Sequence, residues 1–139
     1  VTVQWSRTQN KLNAQASHIL RTHSDLTLVE WRIIQLLRHS DGASISKLAG
    51  DVQMDKGQFS RKLSAMVAKG LVVSELDEVD HRRHHLHLTP AALEISKRVT
   101  PIMERRQTML VKGASAAEME IFFDVLGRIN KAAENRDID

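Results

Sequence analysis

Asp55-Lys56-Gly57-Gln58-Phe59-Ser60-Arg61-Lys62-Leu63, running on through Met66 and Val67 to Lys69-Gly70, is the stretch that decides the fold. Asp55 followed by Gln58 three residues later has the form of a capped helix start, and Phe59, Leu63, Met66 and Val67 recur at helical spacing as a stripe to bury. Gly70 supplies the stop. Just upstream, Ser44 is placed to cap a short helix over Ile45 to Gly50, with Ile45, Leu48 and Ala49 inward, and Asp51 to Met54 makes the turn. A short helix, a tight turn and a longer helix are the outline of a helix-turn-helix.

Beyond Gly70 the period changes from that of a helix to that of a strand. Leu71 to Leu76 is short and β-branched, Asp77 to Arg83 is polar, and His84 to Leu88 alternates, with Leu86 and Leu88 on one face and His85 and His87 on the other. This predicts a β-hairpin. Thr89-Pro90 then opens a long helix, threonine as cap and proline at the first helical position, which Pro101 should kink or divide.

Upstream, Thr27-Leu28-Val29-Glu30 is a capping box for a helix presenting Leu28, Trp31, Ile34 and Leu37 and stopping at Asp41-Gly42. At the two ends, Val3 to about Thr22 carries Trp5, Leu12, Ala16, Ile19 and Leu20 on one side. Ser115 and Glu118 box a last helix with Met119, Phe122, Val125, Leu126 and Ile129 as its stripe. The middle of the chain already makes a small core. The flanking helices are therefore expected to pack on each other or on a second subunit.

Composition narrows the function classes. The chain has 139 residues, 42% hydrophobic and 27% charged, which fits one folded domain and excludes wholesale disorder. The absence of cysteine removes disulfide scaffolds, thiolate zinc sites and thiol redox sensing together. No apolar run approaches the ~20 residues that span a bilayer, so no membrane partner and a cytoplasmic location are expected. Aromatics make up 4% with no tyrosine, which argues against stacking platforms for single strands and leaves duplexes open.

Taken in order, Ser46-Lys47-Leu48-Ala49, Asp55 to Leu63, Lys69-Gly70-Leu71-Val72, Asp80-His81-Arg82-Arg83 and Leu88-Thr89 resemble the multiple-antibiotic-resistance regulator (MarR) family of winged helix-turn-helix transcription factors. The resemblance covers nearly the whole chain. It implies a mainly α fold with a small β-hairpin wing, in a single domain over 1–139. A DNA-binding module would occupy 27–90, and dimerisation helices 1–24 and 100–139. It further implies a homodimer, often a repressor, on a pseudo-palindromic operator of double-stranded DNA, with affinity that responds to a small-molecule effector. The histidines at 81, 84, 85 and 87 depart from the family's usual look.

The charge pattern supports the same reading. Lys56, Arg61, Lys62 and Lys69 carry the recognition-helix stretch with no acid between them. Gln58 and Arg61 are the side chains that read adenine and guanine edges, Lys62 shares the exposed side, and Lys56 and Ser60 suit phosphate. At the hairpin tip the resemblance gives Arg82 a minor-groove role, oriented by Asp80, with Arg83 beside it. No catalytic residue, metal ligand or cofactor is expected. The alternatives are a winged helix that binds only proteins, and a metal-dependent enzyme built on the hairpin histidines.

Overall fold

The computed structural model describes residues 1–40, 42–52 and 54–135. Its elements, in chain order, are α1 (Thr2–His23), α2 (Leu28–His39), β1 (Ala43–Ser44), α3 (Ile45–Asp51), α4 (Lys56–Ala68), β2 (Val72–Leu76), β3 (His84–Leu88), α5 (Pro90–Leu110) and α6 (Ala116–Ala133). The chain divides into two compact units, one over Val1–Glu104 and a second beginning at Arg105. Two predicted turns fall partly outside the described residues, at Asp41 and Gln53, as do the last four positions of the predicted 100–139 segment.

The caps form as the sequence predicts. Thr27 Oγ1 accepts from the Glu30 amide at 3.2 Å while Glu30 Oε2 accepts from the Thr27 amide at 2.9 Å, a complete capping box. Ser44 accepts from Lys47 N, and Asp55 Oδ1 from Gln58 N at 2.9 Å. Gly70, at φ 70°, closes α4. Its amide donates to the Val67 carbonyl and that of Leu71 to the Met66 carbonyl, both at 2.9 Å, a Schellman termination that requires a left-handed residue.

Packing then sets the orientation of these helices. Phe59, Met66 and Leu63 of α4 bury against Ile33, Ile34 and Leu37 of α2, Leu48 of α3 and Leu86 of β3 in one core. Burying a side chain such as Phe59 is worth ~2 to 3 kcal/mol against ~1 kcal/mol for the Asp55 cap, so the apolar stripe fixes which face of α4 turns outward. Val67 is the exception to the predicted stripe. It stands 42% exposed, because the successive steps of ~100° from Phe59 carry it past the edge of the core.

The structure adds to one further expectation, narrows a second and corrects a third. The hairpin has a third strand: β1 pairs antiparallel with β3 (Ala43↔Leu86, Ser44↔His85) on the side away from β2, giving the order β1-β3-β2. Two residues have no periodicity to betray them. Pro101 does not divide α5, which runs on from Pro90 to Leu110. The lost hydrogen bond is offset by burial on the same helix, where Ala92 and Val99 are fully enclosed. Finally, α1 is not without partners in its own unit, since Leu20 joins the core and Asn13 Oδ1 accepts from Arg32 at 3.0 Å. Ala16 and Leu20 are its buried positions, while its first half up to Lys11, with Val3 and Trp5, lies open.

Candidate nucleic-acid interface

With Phe59, Leu63 and Met66 turned inward, Lys56, Gln58, Ser60 and Arg61 stand exposed on α4. Gly57 leaves space at the start of the helix. A Cβ there would lie 3.9 Å from the Arg61 guanidinium, which reaches back along the first turn. The Asp55 cap fixes that turn, so Gln58 and Arg61, one turn apart, share a face.

Lys62 differs from its neighbours. It is only 28% exposed, and its ammonium lies 3.9 Å from Oε1 of Glu30, whose side chain is 1% exposed. Lys69 reaches the same oxygen at 2.7 Å. Burial raises the pKa of Glu30, but hydrogen bonds from Lys69 and Thr27, with the charges of Lys69 and Lys62, more than offset this and hold the carboxyl below its ordinary value. The sequence marks Glu30 only as half of a capping box. An acid among the apolar residues Leu28, Val29 and Trp31 was the available signal that it would need a cation.

The wing tip is organised by two aspartates. Asp77 Oδ1 accepts from the amides of Val79 and Asp80, at 2.8 and 2.9 Å, and Asp80 Oδ1 accepts from the Arg82 amide at 3.1 Å. Asp80 therefore orients the main chain of Arg82, whereas its ion pair is with Arg83, Nε to Oδ2 at 3.6 Å. Arg82 forms no ion pair among the described residues. Arg82, Arg83, His85, Ser44 and Ser46 line a hollow of about 350 Å³ where the wing meets the start of α3. Lys56, Gln58, Ser60 and Arg61 lie outside that lining.

His85 joins the wing to the turn after α2. Its Nδ1 lies 2.8 Å from the Gly42 carbonyl and its Nε2 2.7 Å from Asp77 Oδ2. Both partners only accept, so the ring satisfies them together only as a doubly protonated imidazolium. Asp77, followed by the Gly42 carbonyl, raises the His85 pKa against opposing burial and the charge of Arg83. Asp77 is held far below the usual carboxylate range, first by the Asp80 amide and then by His85. These bonds occupy both nitrogens that a metal would need. His87 meanwhile faces Glu75 at 3.6 Å, and no group of three or more metal-ligating side chains occurs among the described residues.

A pH dependence follows. A raised imidazole pKa stabilises the wing fully below its unfolded value of 6.5, and the contribution is lost as pH rises through the folded value. The lowered Asp77 pKa acts oppositely, fully present above 3.8 and lost as pH falls through the folded value. The link from Asp77 through His85 to Gly42 is therefore complete between those two reference values. Hydrogen exchange at the Asp77 and Arg83 amides, corrected for intrinsic rates, should show protection that declines above neutrality in the native chain. That decline should vanish in His85→Gln, and a pH-independent native profile would contradict the imidazolium assignment.

A model of the MarR family matches residues 26–84, from the start of the α2 cap to the first residue of β3. A protein named for transcriptional regulation of the hcr operon in Thauera aromatica is 24% identical over 115 residues, covering 83% of this chain and 69% of that protein. The chain spans 69% and 63% of the lengths of two curated relatives it matches. The S. aureus MepR structure, a DNA complex, superposes with TM-score 0.87 at 20% identity, covering 95% of this chain and 96% of the other. PcaV of Streptomyces coelicolor, solved with its natural ligand, gives 0.76 at 22% identity over 92% of each chain. At these identities the structural likeness speaks for the fold. Among the described residues, no helix is long and apolar enough to cross a membrane.

Proposed function

We propose that the chain is a member of the MarR family, whose model matches residues 26–84, and that it is a homodimeric, sequence-specific, double-stranded-DNA-binding transcriptional repressor released by a small-molecule effector in the cytoplasm. The observation that carries this reading is the outward face of α4. In the matched segment Gln58 and Arg61 are exposed side by side, backed by Phe59, Leu63 and Met66, with a wing whose Arg82 has no ion-pair partner among the described residues. Gln58 and Arg61 read base edges, Lys56 and Ser60 meet phosphate, and Arg82 enters the minor groove with Arg83 and Asp80 shaping the tip. Residues 27–90 form the DNA-binding module, while 1–24 and 100–139 serve the dimer. The reading contains no catalytic step.

The relatives support it in kind: MepR was solved on DNA and PcaV with a ligand. For the effector, a hollow of about 480 Å³ lies against α2, lined among others by Trp31, Arg32, Leu36 and His39. An apolar ring wall with a guanidinium at its edge suits a small aromatic anion. A ligand acts only by preferring one state of the protein, so among compounds that raise thermal stability those that prefer the DNA-free state should lower operator affinity. A set of stabilising ligands that leave DNA affinity unchanged would remove this part of the proposal.

Selection from randomised duplexes tests the function as a whole. The expected product is a pseudo-palindrome with half-sites about one helical turn, ~10 bp, apart. Failure to enrich any sequence would count against it. On the selected operator, Arg82→Ala should flatten the plot of log affinity against log salt by about one unit while the protein stays folded. Arg83→Ala, whose guanidinium is already paired with Asp80, should change the slope less. Equal slopes for the native chain and Arg82→Ala would remove the wing from the interface.

A further inference from the structure

We propose that Glu30 is a positioning residue of the DNA interface, whose buried carboxylate retains Lys62 and Lys69 on the protein side and so leaves Lys56 and Arg61 as the DNA-facing cations of α4, the first for phosphate and the second for base edges. This rests on the DNA reading above and adds a determinant of specificity to it. Lys69, the C-cap residue just past α4, is seven positions, two helical turns, from Lys62, so the two lie along one side of the helix. That side faces the first turn of α2, where Glu30 Oε1 takes Lys69 at 2.7 Å and has Lys62 at 3.9 Å. The other carboxylate oxygen is occupied by the Thr27 amide at 2.9 Å. Every acceptor position of a side chain that is 1% exposed is thus tied either to its own helix cap or to the recognition helix.

Electrostatically, a buried carboxylate competes with the phosphate backbone for lysines that themselves stay partly exposed, Lys69 to 48% and Lys62 to 28%. Each lysine that phosphate wins releases a counterion and strengthens binding to every sequence alike. A carboxylate that keeps them lowers non-specific affinity without touching Gln58 or Arg61. It also fixes the rotation of α4 about its axis, since the two lysines anchor one stripe while the core takes another. A sequence reading that counts Lys62 with the outward cations therefore overstates the charge offered to DNA.

The test is a salt series on a scrambled duplex and on the selected operator. Lys62→Gln is expected to leave the scrambled-duplex slope at the native value, because that lysine is already spent on Glu30 and Lys69 still covers the carboxylate. Glu30→Gln is expected to steepen the slope by about one unit. That is about three- to fourfold more loss of affinity from about 50 to about 200 mM salt, with a lower ratio of operator to scrambled binding. Glu30→Gln combined with Lys62→Gln should return the slope toward native, which a merely structural role of Glu30 would not do. A flattening by about one unit in Lys62→Gln overturns the assignment, as does a folded Glu30→Gln with native slope. If Glu30→Gln does not fold, the Lys62→Gln slope alone decides. A native chain with no salt-dependent duplex binding overturns the DNA reading itself and this assignment with it.

Discussion

Replacing Phe122 and Ile129 of α6 together by glutamate is expected to turn a dimer into a folded monomer and to lower operator affinity about 10²- to 10⁴-fold, the scale of gain that linking two binding sites provides. The argument begins with a helix that is well made and poorly covered. Its start is fixed by reciprocal bonds, Glu118 N to Ser115 Oγ at 3.2 Å and Ser115 N to Glu118 Oε2 at 2.7 Å. Yet Ile121, Phe122, Phe123, Val125 and Ile129 are all exposed, Ile121 to 64% and Phe123 to 59%. Phe122 and Phe123 pack edge to face with centroids 5.7 Å apart, so the rings are already gathered into one patch. Burial of each such side chain is worth ~1.5 to 3 kcal/mol, and an exposed apolar stripe such as Phe122, Val125 and Ile129, which recur at helical spacing, marks an interface. Two-fold symmetry doubles each substitution, placing four carboxylates where the dimer needs an apolar seam. Light scattering and duplex titration check the result. A stable dimer with native affinity in the double variant would show that α6 is not the seam.

What could be read in advance depended on the range of the interaction. Both capping boxes, the glycine stop at Gly70 and the switch of period after it are local: each is a statement about residues a few positions apart, and each is found where the sequence predicts it. The exposed set on α4 was legible for the same reason, because Phe59 and Leu63 define an inside and geometry assigns the rest. What was not legible crosses the chain. β1 is a strand only because β3 offers it an edge forty-three residues away, as in Ala43↔Leu86. Glu30 and Lys69 are separated by 39 positions. His85 and Gly42 are separated by 43. In each case the local sequence has a sufficient reason to be there already, a cap, a turn or an alternating strand. The second role adds no pattern of its own. The wing aspartates lie between these extremes: an Asp near Arg82 and Arg83 is visible in the sequence, but which guanidinium it pairs with is set by the turn that Asp77 builds.

On the recognition helix, the double substitution of Gln58 and Arg61 by alanine should collapse the distinction between operator and scrambled duplex while leaving non-specific binding within a few-fold of native. A side chain that pairs with a base edge through two hydrogen bonds contributes ~1 to 3 kcal/mol of discrimination, and in a dimer each residue is used twice. Four such contacts are comparable to the ~4 to 10 kcal/mol that separates specific from non-specific binding by typical regulators. Stability should change little. Both residues are exposed, and alanine is the better helix former, so loss of function through unfolding is not expected. The two side chains also differ in how they fail. Gln58→Ala removes a neutral reader, so the salt slope should stay native while preference relaxes at the positions it reads. Arg61→Ala removes a charge as well, and its effect should include some flattening of the slope. Repeating the duplex selection with each single variant locates those positions in the half-site. Native discrimination in the folded double variant would mean that α4 does not read the bases, and the interface would then have to be sought elsewhere on the module.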